Sequence, residues 1–98
     1  MAKDAAEAAP NVYKVVFENE RVRLLEARVK PGDSSAMHAH PNYLVYGLED
    51  GKVTFTAASG GSVDVELKAG QAMWREAEEH SAKNNGPTDV VALLVELK

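Results

Sequence analysis

The feature that most constrains this chain is its punctuation. From residue 12 onward, short runs of β-branched and aromatic residues are broken every eight to twelve positions by turn chemistry. The breaks are Glu18-Asn19-Glu20, Pro31-Gly32-Asp33, Asp50-Gly51, Ser59-Gly60-Gly61, Ala69-Gly70 and Asn84-Asn85-Gly86-Pro87, each able to supply positive φ or a fixed turn. Strands are therefore predicted at residues 12–17, 21–29, 36–40, 43–48, 52–57, 62–67, 71–75, 80–84 and 89–97. Alternation sorts their faces. Val53 and Phe55 oppose Thr54 and Thr56; Val63, Val65 and Leu67 oppose Asp64 and Glu66; Val91, Leu93, Val95 and Leu97 share a side. One wet face per run marks antiparallel sheets with a single buried side, so the fold class is all-β, a sandwich or partly open barrel.

A chain of 98 residues has room for one domain, here residues 12–98. Residues 1–11 form an alanine-rich arm that ends near Pro10 and is expected to be flexible, although a short helix is an alternative. With 15 acids, 11 bases and no basic run, the chain suits neither nucleic acid nor an anionic membrane surface. It has no cysteine, which leaves only nitrogen and oxygen donors for any metal and fits a cytoplasmic location. Neither a signal peptide nor a membrane span is indicated.

The chemistry centres on the three histidines. His38 and His40 are one residue apart, so in an extended segment both rings share a face about 6–7 Å apart, close enough to chelate one ion. His80 adds a third donor if its strand lies beside theirs. Three neutral imidazoles suit a divalent Fe, Mn, Ni, Cu, Co or Zn ion.

The stretch from Pro31 through His38-Ala39-His40 to Gly51 resembles the first motif of the cupin superfamily: Gly, five residues, His, one residue, His, three or four residues, Glu, six residues, Gly. Gly32, His38, His40 and Gly51 fall in place. Gly70 through His80 to Asn84 is similar to the second motif, one residue short between Gly and His, with Trp74-Arg75-Glu76-Ala77 where its internal Pro and Gly usually stand. The resemblance to the small single-domain cupins, the cupin 2 type with a conserved barrel, implies a double-stranded β-helix, or jelly roll, of six to eight strands with a metal inside. It also places Leu44 where that family carries a glutamate ligand, which makes the expected site a neutral three-histidine one.

Continuing the parity of His38 and His40 through Asn42 turns Leu44 and Tyr46 inward. With Phe55 and Trp74 these residues are expected to wall a pocket for a small-molecule ligand or substrate. Arg21, Arg23 and Arg28 lie on the second run, where arginine usually covers an outer face, although one pointing inward would pair with an anionic substrate; Glu76, Glu78 and Glu79 before His80 are read as a solvated loop, although a carboxylate from there would replace the missing glutamate ligand or act as a base. Two functions follow. One is a metal-dependent dioxygenase, isomerase or decarboxylase acting on a small organic molecule; the other is a non-catalytic module that binds a metabolite or metal. No catalytic acid or base is identified in the inferred pocket. Exposed sheet edges and the arm lead to an expected homodimer.

Overall fold

The runs separated by turn residues become strands because their side chains can bury one face. The computed structural model describes residues 2–98. Its elements are α1 (Ala5–Ala8), β1 (Tyr13–Glu18), β2 (Val22–Val29), β3 (His38–His40), β4 (Tyr43–Gly47), β5 (Gly51–Ala57), β6 (Ser62–Leu67), β7 (Ala72–Arg75), β8 (Glu78–Lys83) and β9 (Val90–Leu97). All nine expected strands form.

They make two antiparallel sheets, one of five strands in the order β1-β2-β9-β4-β7 and one of four in the order β3-β8-β5-β6. The core lies between them. Leu25, Val29, Val45 and Leu94 of the larger sheet pack with Val53, Leu67 and Ala82 of the smaller. Each of the larger aliphatic side chains contributes about 1.5–3 kcal/mol by leaving water. The two motif glycines have local causes. Gly32 has a φ of +84°, which favours glycine, and a Cβ at Gly51 would lie 3.2 Å from Val90 Cγ2. Asn84 is wholly buried; its amide donates to the carbonyls of Val29 and Thr88 and its oxygen accepts from Gly86 N–H, fixing the last turn.

Two expectations need correction. The arm is folded rather than flexible over its described part, Met1 lying outside the described residues. Asp4 caps α1 by accepting from Glu7 N–H at 3.1 Å, and Ala5 and Ala9 are buried. Lys3 O accepts from Ala39 N–H at 2.8 Å on the otherwise free edge of β3, and Asp4 lies 3.4 Å from Arg23 on β2, so the arm ties the two sheets together. Small alanines made this possible, since they let backbone approach backbone.

The second correction concerns parity. β3 belongs to the four-stranded sheet and β4 to the five-stranded one, so the chain changes sheets at Pro41 and Asn42 and the alternation restarts. Tyr43 and Val45 point inward, whereas Leu44 and Tyr46 are exposed. Trp74, cross-strand partner of Leu44, shares that outer face. Leu44, Tyr46 and Trp74 are therefore not pocket residues. In β9 the inward side is Val90, Ala92, Leu94 and Glu96, not the side of Leu93, Val95 and Leu97. No helix of the described residues is long and apolar enough to cross a membrane.

Candidate metal centre

β3 and β8 pair antiparallel in a register that sets His38 directly opposite His80, which supplies the adjacency that spacing alone left open. The three rings meet between the sheets. Centroids of His38, His40 and His80 lie 4.7, 4.8 and 5.1 Å apart pairwise, and one nitrogen from each comes within 4.8 Å of the others. All three are buried.

Their tautomers follow from their partners. His38 Nδ1 is 2.8 Å from the Ala36 carbonyl, which can only accept, so Nδ1 carries the proton and Nε2 presents its lone pair. The Tyr13 hydroxyl donates to that Nε2 at 3.1 Å. His40 donates from Nδ1 to Glu96 Oε2 at 2.6 Å, and its Nε2 has no partner among the described residues. Neither nitrogen of His80 has a hydrogen-bond partner there, although Glu78 Oε1 approaches Nδ1 to 3.3 Å. Unpartnered buried polar atoms each cost roughly 1–3 kcal/mol, so three on two neighbouring rings need a reason.

Charge is arranged to keep the rings available as donors. Burial pushes His38 down to about 4 and His80 down to about 3, the latter helped by the other two rings, so both are neutral near pH 7. Glu96 would be raised by burial, but hydrogen bonds from His40 and Arg23 hold it below the usual carboxylate range. Glu78 likewise overcomes burial through Arg75 and Tyr43 and falls to about 2. Arg23 reaches Glu96 Oε1 through Nε at 2.9 Å and Nη2 at 2.7 Å, and the Tyr43 hydroxyl donates to Glu78 at 2.7 Å. Two anionic carboxylates thus stand behind the rings, Glu96 hydrogen-bonded to His40 and Glu78 3.3 Å from His80 Nδ1.

Aromatic neighbours fix the rings further. Phe55 stacks on His80 at 4.5 Å with planes 5° apart, and Tyr43 stacks on His40 at 4.4 Å. Arg75 covers Phe55 from outside at 4.6 Å. Beside His40 and His80 lies a cavity of about 30 Å³, walled by Tyr13, Tyr43, Phe55 and aliphatic residues that include Val45 and Leu67. Phe55 is thus the one residue of the expected pocket set that lines the interior.

Sequence reasoning passed over Tyr13, Tyr43, Arg75 and Glu96 as site residues, left the direction of Arg23 open and read Glu78 as part of a solvated loop. Glu78 carried a usable signal, since it shares strand parity with His80. Glu96 did not, because it interrupts the inward side of β9 with a charge.

The donor set fits a divalent transition-metal ion. Three imidazoles converge, none is committed elsewhere by a covalent or ionic partner on its inward nitrogen, and Glu96 orients one ring as outer carboxylates orient metal-binding histidines.

Two packed antiparallel sheets with a histidine cluster buried between them define a double-stranded β-helix protein with a candidate metal site. The sequence matches the family model described as Cupin domain over residues 25–96, and the chain belongs to that family. Among solved structures it is similar to a cupin domain from Bordetella pertussis Tohama I, at 30% identity and a TM-score of 0.81, over 100% of this chain and 98% of that one. A Klebsiella pneumoniae protein described as uncharacterized and conserved, with a double-stranded β-helix domain, shares the fold at 24% identity, covering 88% and 75% of the two chains with a TM-score of 0.69. An RmlC-like cupin from Methanocaldococcus jannaschii does so at 14% identity, 88% and 78% coverage and a TM-score of 0.70. No curated protein matches the sequence.

Proposed function

We propose that this cupin binds one divalent transition-metal ion through His38, His40 and His80. The observation that carries the reading is the pair of buried rings, His40 and His80, whose inward nitrogens lack any partner among the described residues and lie beside a third imidazole. Such an ion supplies Lewis acidity or redox capacity when bound. The chain's own residues do the rest: Glu96 holds His40, Glu78 and Arg75 screen the far side of His80, and Phe55 and Tyr43 stack on the rings and exclude water.

A cavity of about 30 Å³ has space for roughly two water molecules. That size supports an ion with water or another ligand of two or three atoms. Acting on an organic molecule as a dioxygenase, isomerase or decarboxylase needs more room beside the rings than this, which makes catalysis the second reading. Elemental analysis of untagged protein separates the two, followed by oxygen uptake with added Fe(II) and a panel of small acids and diketones. About one equivalent of metal, lost in His80→Ala, without turnover supports the binding role. Turnover supports the enzyme, and no metal after soaking overturns both.

The displaced pocket residues support a further proposal, a homodimer. Phe17, Leu24, Val95, Leu44 and Trp74 are successive cross-strand neighbours and form one apolar row over all five strands of the larger sheet. Phe17, Leu44 and Trp74 are largely exposed, and a sheet face of this kind is self-complementary about a two-fold axis. Light scattering should give twice the chain mass, reduced to one by Leu44→Glu.

A further inference from the structure

We propose that the Tyr13 hydroxyl is a built-in competitor of the metal: it holds the one lone pair of His38 in the metal-free protein and so limits how tightly the site takes an ion. The inference rests on the three-histidine reading and adds to it the residue that sets the affinity.

The three rings are not equivalent. His40 Nε2 and both nitrogens of His80 lack partners among the described residues, whereas both nitrogens of His38 are engaged. His38 Nδ1–H donates to the Ala36 carbonyl at 2.8 Å, which leaves Nε2 with the only lone pair the ring can offer an ion. The Tyr13 hydroxyl donates to that same lone pair at 3.1 Å. A metal–nitrogen bond is about 2.0–2.1 Å long, so an ion on Nε2 would stand in the space the hydroxyl proton now fills. The lone pair serves one or the other.

Displacing the hydroxyl is costly because of where it sits. Tyr13 is buried on β1, and its ring packs edge-on against His38 at 4.8 Å and against His40 at 5.6 Å, so it is not free to turn aside. Among the described residues the hydroxyl makes no other hydrogen bond. Recruiting His38 to an ion therefore breaks a buried hydrogen bond and leaves a neutral hydroxyl without its acceptor, a penalty that His40 and His80 do not carry. The oxygen forms no bond to the ion and keeps its proton throughout. A phenylalanine at this position would keep the ring against both imidazoles and free the lone pair.

The test measures Co(II) affinity of the chelator-treated full chain by competition with a chromophoric chelator, for wild type and Tyr13→Phe, with circular dichroism to establish that both are folded. Tyr13→Phe should bind Co(II) about tenfold more tightly, a gain that loss of a merely structural hydrogen bond would not produce. Placed on His38→Ala, the same change should bring no gain. A gain below about threefold or weaker binding by Tyr13→Phe overturns the proposal, and so does a gain that persists without His38; each leaves the three-histidine site standing. Absence of bound Co(II) in wild type and Tyr13→Phe alike overturns the three-histidine reading as well.

Discussion

Replacing Glu96 separates its structural part from its part in the metal centre. In Glu96→Ala, Arg23 loses its contacts at 2.7 and 2.9 Å, and His40 Nδ1–H loses its acceptor at 2.6 Å. The Arg23 side chain is 14% exposed, so its charge is left largely desolvated with only Asp4, at 3.4 Å, nearby. Breaking a buried pair from one side costs about 3–5 kcal/mol. In a domain of this size each kcal/mol moves Tm by roughly 4–8 °C, so metal-free Glu96→Ala should melt on the order of 12 °C or more below wild type. Removing both charges, as Arg23→Leu with Glu96→Leu, takes away the stranded cation and should recover at least about 2 kcal/mol over the single variant. Metal affinity should behave differently. His40 has lost the group that fixes its tautomer in both proteins, so both should bind Co(II) about 10–100-fold more weakly than wild type. Urea unfolding of the chelator-treated proteins and Co(II) titration measure the two quantities. A single variant within about 1 kcal/mol of wild type, or a double variant with wild-type affinity, would refute the linkage drawn from Glu96 to His40.

Three further outcomes are expected. His38 and His80 have folded pKa values, about 4 and about 3, below the unfolded value of about 6.5. The unfolded chain therefore takes up protons first, and stability present above about pH 6.5 is lost on acidification toward pH 3, by up to roughly 1.4 kcal/mol per ring per pH unit; urea midpoints of metal-free protein that stay flat between pH 7 and 5 would contradict this. At dilutions where the chain is monomeric, Leu44→Asp should cost less than about 1 kcal/mol, whereas Val45→Asp should unfold the domain, and equal effects in a melting comparison would reverse the assigned strand parity. Deleting residues 1–9 removes buried Ala5 and Ala9 and the contacts to Ala39 and Arg23, so it should lower Tm and speed Co(II) loss to excess chelator; unchanged dissociation would show that the arm does not guard the site.

Much of the architecture could be read before any coordinates. Nine strands followed from where Gly, Asn and Pro interrupt β-branched runs, because backbone geometry at turns is local. The histidine triad was also accessible, through the one-residue spacing of His38 and His40 and the motif that ends at Asn84. What failed was inward and outward assignment past Pro41, since a change of sheet resets alternation and leaves no mark in composition. The same change of sheet hid Tyr43, whose ring stacks on His40 while its hydroxyl donates to Glu78; Tyr13 on β1, and Glu96, whose charge is tolerable inside only because Arg23 and His40 stand within reach, join the site only through the packing of one sheet on the other.

The clasp made by Lys3 and Asp4 bears on two supports at once. Lys3 lies on the edge of the strand that carries His38 and His40, and Asp4 lies near the arginine that holds Glu96, so lifting the segment would bare that edge and loosen the carboxylate behind His40 together.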